Sequence, residues 1–170
     1  MIGAVVLAAG AATRYGSPKQ RVFLPRVLAA LRSSPVDEIV VVAGAYELEA
    51  DARVVRCADW ERGPGASLRC GLAALPTEAE AAVVVLADGP DLDPRAVERV
   101  LALRGEAEIV AASYDGTRDH PLVVARSAWA KVPDDGLRAL PAHLVDCSGL
   151  RPPGDVDFAD TSREDQAGAE

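Results

Sequence analysis

The chain has 170 residues, 49% of them hydrophobic and only 4% aromatic, with a formal net charge of -8. That length fits one domain over 1–170 with a sizeable core, and the acidity argues against nucleic acid or an anionic membrane as the main partner while leaving room for a local basic pocket. No apolar run approaches the roughly 20 residues needed to span a bilayer.

Taken in chain order, Met1 to Gly10 is apolar without a basic flank and reads as a strand, not a signal peptide. Val5-Val6-Leu7 lies in that run, which ends at Gly10. Ile39-Val40-Val41-Val42 repeats the pattern and ends at Gly44. Val83-Val84-Val85-Leu86 repeats it again and ends at Asp88. Strands apolar on both faces belong in a parallel sheet covered on both sides. A weaker run is Ile109-Val110-Ala111-Ala112.

Helical spacing falls between these runs. Leu24, Val27, Leu28 and Leu31 share one face of a helix starting near Arg21. Leu68, Leu72 and Leu75 do so in a segment opened by Gly65-Ala66-Ser67. Val97, Val100, Leu101 and Leu103 follow Asp93-Pro94, a good helix start. This alternation predicts an α/β fold with a mostly parallel sheet. Ser113 to Arg118 reads as a turn and Leu122-Val123-Val124 as a returning strand, a small antiparallel addition. Ala159 to Glu170 is a polar tail. Cys57, Cys70 and Cys147 are odd in number and lack metal-like spacing. They argue against a disulfide scaffold or zinc site and favour a reducing cytoplasm, as three small hydrophobes.

Ligands of such sheets bind outside the carboxyl ends of the strands. Three loops are therefore of interest: after Leu7, around Gly63 to Ser67, and after Leu86. The first runs Leu7-Ala8-Ala9-Gly10-Ala11-Ala12-Thr13-Arg14-Tyr15-Gly16-Ser17-Pro18-Lys19-Gln20. Small residues admit a ligand close to backbone N–H groups, and Arg14 and Lys19 supply positive charge for phosphates. It is neither a Walker A loop nor a dinucleotide fingerprint. On its residues alone, an ordinary glycine turn with surface charges explains it as well. Asp88 sits where a strand-end carboxylate faces the ligand crevice and can hold a hard cation; helix capping is the competing role, which Asp93 serves better. Ser67, at a helix opening, reads as an N-cap. Trp60 and Trp129 have no role readable from spacing.

The loop Leu-Ala-Ala-Gly-x-x-x-Arg-x-Gly-x-x-Lys resembles the signature of the MobA-like nucleotidyltransferases, nearest to the molybdenum-cofactor cytidylyltransferase (MocA-like) branch. Gly65-Ala66-Ser67-Leu68-Arg69-Cys70-Gly71-Leu72, Asp88-Gly89-Pro90, His120-Pro121, Asp135-Gly136-Leu137-Arg138 and Asp157-Phe158-Ala159-Asp160-Thr161 resemble further family segments in the same order. The resemblance implies a Rossmann-like three-layer sandwich of the nucleotide-diphospho-sugar transferase type. It also implies a cytoplasmic, Mg²⁺-dependent enzyme that moves a nucleoside monophosphate onto a phosphate-bearing acceptor. By that likeness Leu7, Ala8, Ala9, Gly10 and Ser67 contact the nucleotide. Arg14 and Lys19 hold its phosphates and, with Asp88, carry catalysis. Asp88 and Asp160 bind Mg²⁺, with Asp157 the alternative to Asp160, and His120 and Arg138 face the acceptor. Ala9 leans towards CTP over GTP, and molybdopterin is the implied acceptor. Guanylyl transfer, sugar-phosphate transfer, passive nucleotide binding and a reductase on the same scaffold are the competing readings.

Overall fold

A computed structural model describes residues 1–10 and 19–154, the side chains of Lys19 and Gln20 excepted. Among them, β1 (Ile2–Ala8), α1 (Lys19–Arg32), β2 (Glu38–Ala43), β3 (Arg53–Arg56), α2 (Pro64–Ala74), β4 (Ala81–Leu86), α3 (Pro94–Ala102), β5 (Ile109–Tyr114), β6 (Thr117–Ala125) and β7 (His143–Asp146) follow in order. Short 3-10 segments, Trp60–Arg62 and Arg126–Lys131, precede α2 and follow β6.

The strands form one sheet in the order β3-β2-β1-β4-β6-β5-β7. β1 pairs in parallel with β2 and β4, β2 with β3, and β5 with β7; β6 runs antiparallel between β4 and β5. The apolar runs become the central strands because both their faces are covered. Ala4, Val6, Val41, Val83 and Val85 pack against Leu24, Val27, Leu28 and Leu31 of α1 and Val97 and Val100 of α3. Val5, Val40, Val42 and Val84 pack against Leu68 and Leu72 of α2 and Leu75 just past its end. This is the expected three-layer sandwich, and each fully buried valine or leucine stabilises it by about 1.5–3 kcal/mol.

α3 begins as its sequence predicts: Asp93 is the N-cap, its Oδ1 accepting from the Arg95 N–H at 2.9 Å, with Pro94 in the first turn. α2 differs. Its N-cap is Gly63 and Pro64 opens it, so Ser67 lies one turn inside the helix and does not cap it. The proline, which needs no N–H partner, sets the start. The predicted turn at Ser113 to Arg118 shrinks to Asp115-Gly116, because β5 extends to Tyr114 and β6 begins at Thr117. β3 and β7, four residues each, escaped the sequence reading; both are edge strands with too few apolar residues to form a run.

The cysteine expectation is also corrected: Cys57, just after β3, and Cys70, in α2, form a disulfide, while Cys147 is a buried free thiol. Sequence spacing does not reveal which cysteines the crossing of a strand end and a helix brings together. Among the described residues, no helix is long and apolar enough to cross a membrane.

Candidate functional site

β1 leads to β2 on one side of the sheet, while β4 lies on its other side. The carboxyl ends of β1 and β4 therefore flank a topological switch point, where an open α/β sheet leaves a crevice. There the Ala87 N–H donates to the Leu7 carbonyl at 3.0 Å, tying the two strand ends together. A cavity of about 320 Å³ opens beside them, lined by Leu7, Ala9, Gly10, Leu86 and Asp88 and by Trp60, Glu61, Gly63, Pro64 and Ser67. The three loops marked out in the sequence thus meet at one place.

Strand alternation divides the first loop. Leu7 and Ala9 face the cavity, whereas Ala8 packs into the core beneath α1 and α3. A nucleotide contact by Ala8 would therefore use its backbone. The first turn of α2 forms the opposite part of the lining. Its positive end favours anions, but its N–H groups already have partners. Gly65 donates to the Asp134 carbonyl at 2.8 Å, and Ala66 and Ser67 to that of Gly63. The helix supplies field there and no free backbone N–H. Ser67 is only 3% exposed, and its hydroxyl meets no hydrogen-bond partner among the described residues. A buried unpaired hydroxyl costs about 1–3 kcal/mol, so one lining a cavity marks a place for a polar ligand atom.

The α2 terminus is held by the turn after the second 3-10 segment. Arg69 donates to the Val132 carbonyl at 2.6 Å and to the Asp134 carboxylate, and Arg62 reaches the same carboxylate at 3.0 Å. Those hydrogen bonds, Arg69 first, hold the Asp134 carboxyl below its ordinary range. The turn lies so close that a Cβ on Gly65 would overlap the Pro133 carbonyl, 2.7 Å from its carbon and 2.9 Å from the Gly136 nitrogen.

The last described residues also come to this end of the sheet. The Asp91 N–H donates to the Pro153 carbonyl at 2.9 Å, and Arg26 of α1 pairs with the Asp91 carboxylate at 2.9 Å. A Cβ on Gly89 would lie 3.0 Å from that of Pro153. Glycine after Asp88 is what lets the C-terminal segment lie over this loop.

Residues 4–145 match the family model described as "MobA-like NTP transferase domain". The chain belongs to that family. Among curated proteins nothing matches it. Among solved structures it is similar to Rv0371c from Mycobacterium tuberculosis, 26% identical, with 95% of this chain and 96% of that one covered and a TM-score of 0.77. It is similar to the homologue from Mycobacterium sp. strain JC1, 25% identical over 95% and 92% with a TM-score of 0.77. The manganese complex of Rv0371c is 25% identical over 95% and 96%, with a TM-score of 0.74.

Five of the residues expected to meet the nucleotide or metal, Leu7, Ala9, Gly10, Ser67 and Asp88, line this one cavity. Lys19 begins α1 at the same end of the sheet, its side chain outside the described residues, as are Arg14, Asp157 and Asp160 entirely. His120 is not part of the cavity lining. It stands on β6, the neighbour of β4, at the end of the sheet that carries Asp88, joined by a cis bond to Pro121. Its backbone carbonyl accepts from the Tyr114 hydroxyl at 3.2 Å, and its imidazole lies 3.5 Å from Asp119. The His120 contact is the main reason the Asp119 carboxyl sits below its ordinary range; burial pushes the Tyr114 phenol up. Arg138 lies in an exposed turn, outside any helix and outside the lining. Pro64 falls within the Gly63 to Ser67 loop that the sequence marks out, whereas Trp60, Glu61 and Leu86 are lining residues to which the sequence assigns no site role. Only the position of Trp60 and Glu61 a few residues before the Gly63–Ser67 loop pointed to them.

The polar groups of the lining suit a hard cation: the carboxylates of Asp88 and Glu61, with no thiol or imidazole beside them among the described residues. No group of three potential metal ligands gathers among the described residues.

Proposed function

We propose that this MobA-like domain, single over residues 1–170, transfers a nucleoside monophosphate from a nucleoside triphosphate, CTP by preference, to a phosphate-bearing small molecule, with molybdopterin the leading acceptor. The observation that carries the reading is the cavity at the β1–β4 switch point, where Leu7, Ala9 and Gly10, the Ser67 hydroxyl, without a hydrogen-bond partner among the described residues, and the Asp88 carboxylate meet. Ala9 in that loop follows the pattern of the MocA-like branch, which supports CTP over GTP.

In this reading an acceptor phosphate oxygen attacks the α-phosphorus in line, the bond to the bridging oxygen of the β-phosphate breaks, and pyrophosphate leaves. The acceptor is already anionic, so no general base is required. Positioning and charge compensation do the work. Arg14 and Lys19 hold the triphosphate and compensate the leaving pyrophosphate. Leu7, Ala9, Gly10 and Ser67 seat the nucleoside, and His120 and Arg138 orient the acceptor. Asp88 holds Mg²⁺, with Asp160 or Asp157 as second ligand; a bound divalent cation neutralises phosphate charge. Gly154, the last described residue, lies beside Gly89, the residue after Asp88. The manganese bound by Rv0371c supports a divalent ion in this role. A cytoplasmic location is part of this reading, as the family resemblance implies.

The test is a matrix of four nucleoside triphosphates against molybdopterin and sugar phosphates, with Mg²⁺ or Mn²⁺, reading pyrophosphate and coupled product together. Product with CTP and molybdopterin, lost in Lys19→Ala and Asp88→Ala with unchanged circular dichroism, is expected. Absence of pyrophosphate throughout refutes transfer. Near-full activity in Asp88→Ala refutes the metal assignment.

A further inference from the structure

We infer that Trp60 is the stacking surface for the nucleobase, an assignment that rests on the nucleotidyl-transfer reading above. Three features fix this residue at the cavity. Gly44, just past β2, leaves room for it: a Cβ there would come within 2.6 Å of Trp60 Cβ and Cγ and 2.8 Å of the Ala9 carbonyl oxygen. Gly63, at φ 132°, closes the 3-10 segment by donating its N–H to the Trp60 carbonyl at 3.2 Å, a backbone conformation that favours glycine. The Cys57–Cys70 bridge then ties together the two ends of the segment that brings Trp60, Pro64 and Ser67 to the lining.

The chemistry of the lining agrees. Trp60 is the aromatic residue among the described lining residues, set among Leu7, Ala9, Pro64 and Leu86, with the Ser67 hydroxyl, which has no hydrogen-bond partner among the described residues, available to a polar edge. Ligand sites of this kind combine apolar and aromatic walls with a few placed polar groups. A flat heteroaromatic ring uses both kinds at once, stacking on the indole while its edge meets the hydroxyl. Every base has a π-face, so stacking adds affinity without choosing among bases. Trp60 therefore strengthens binding of all nucleoside triphosphates, and the choice of base falls to Ser67 and the loop backbone.

The chain has two tryptophans, which makes the assignment directly readable. Trp129 lies outside the lining, donating its indole N–H to the Val124 carbonyl at 3.1 Å beneath Arg126. The experiment titrates the full chain with Mg-CTP, Mg-GTP and Mg-tripolyphosphate, which carries no base. It uses wild type, Trp60→Phe, Trp60→Ala and Trp129→Phe, following fluorescence and calorimetry. We expect nucleotides to quench wild type and Trp129→Phe but not Trp60→Phe. Trp60→Ala should weaken CTP and GTP alike by about 5- to 150-fold, Trp60→Phe by much less, and tripolyphosphate binding should stay unchanged in all. Unaltered CTP affinity in Trp60→Ala, or an equal loss of tripolyphosphate binding, overturns the assignment while the transfer reading stands. A wild type that binds neither nucleotide nor tripolyphosphate removes the transfer reading, and this assignment with it.

Discussion

Gly65→Ala tests the architecture that builds the cavity. In an ordinary helix the change stabilises by about 1 kcal/mol. Here the new methyl overlaps the Pro133 carbonyl, which cannot rotate away because its turn is anchored. The turn must retreat, at about 1–3 kcal/mol for overpacking. Retreat also loosens the Gly65 N–H to Asp134 carbonyl bond and the Arg69 to Val132 carbonyl bond, each worth about 1 kcal/mol. The net loss is about 2–4 kcal/mol, or about 5–15 °C in Tm for a chain of this size. Gly105→Ala is the control, because nothing lies within 4 Å of its added Cβ; it should leave stability unchanged or raise it by up to about 1 kcal/mol. Urea unfolding with matched m-values, backed by thermal circular dichroism, measures both. A Gly65→Ala protein as stable as wild type would refute the packing of the 133–136 turn on α2.

Ser67→Ala should raise the stability of the ligand-free chain by about 1 kcal/mol, since it deletes a buried hydroxyl that has no partner among the described residues, and should weaken CTP binding about tenfold by calorimetry; lower stability with unchanged affinity would show that the hydroxyl serves the fold. The disulfide, with a sequence separation of 13, stabilises by about 3 kcal/mol in the loop-entropy model. Reductant or Cys70→Ser should therefore lower Tm by about 6–12 °C. Such bridges are rare in a reducing compartment, so thiol titration of the unfolded, unreduced chain is decisive: one thiol, from Cys147, is expected, and three would eliminate the bridge. The His120 contact depresses the Asp119 carboxyl below its unfolded value of 3.8. Its stabilisation is thus present above that value and lost as pH falls through the lower folded one. Asp119→Asn should flatten this acid limb in a series of Tm against pH, whereas parallel wild-type and variant curves would contradict it.

The α/β class was legible because β1, β2 and β4 read as continuous valine-rich runs, a pattern only a doubly covered sheet needs. Asp93-Pro94 likewise announced α3 through local capping chemistry alone. Asp88 and the Leu7–Gly10 loop were legible as strand-end residues, since position relative to a buried strand is a one-dimensional property. Other features depended on which segments meet. Whether Ala9 or Ala8 faces the ligand was set by the sheet's alternation relative to α1 and α2. Trp60 joined the lining because Gly44 and Gly63 leave it one place to go, and Cys57 found Cys70 because a strand end passes a helix. The isolation of the Ser67 hydroxyl follows from α2 beginning at Pro64, one turn earlier than its composition suggested. Local propensity and hydrophobic period act within a few residues and can be read along a chain. Convergence, burial and pairing join residues far apart in sequence, and packing decided them.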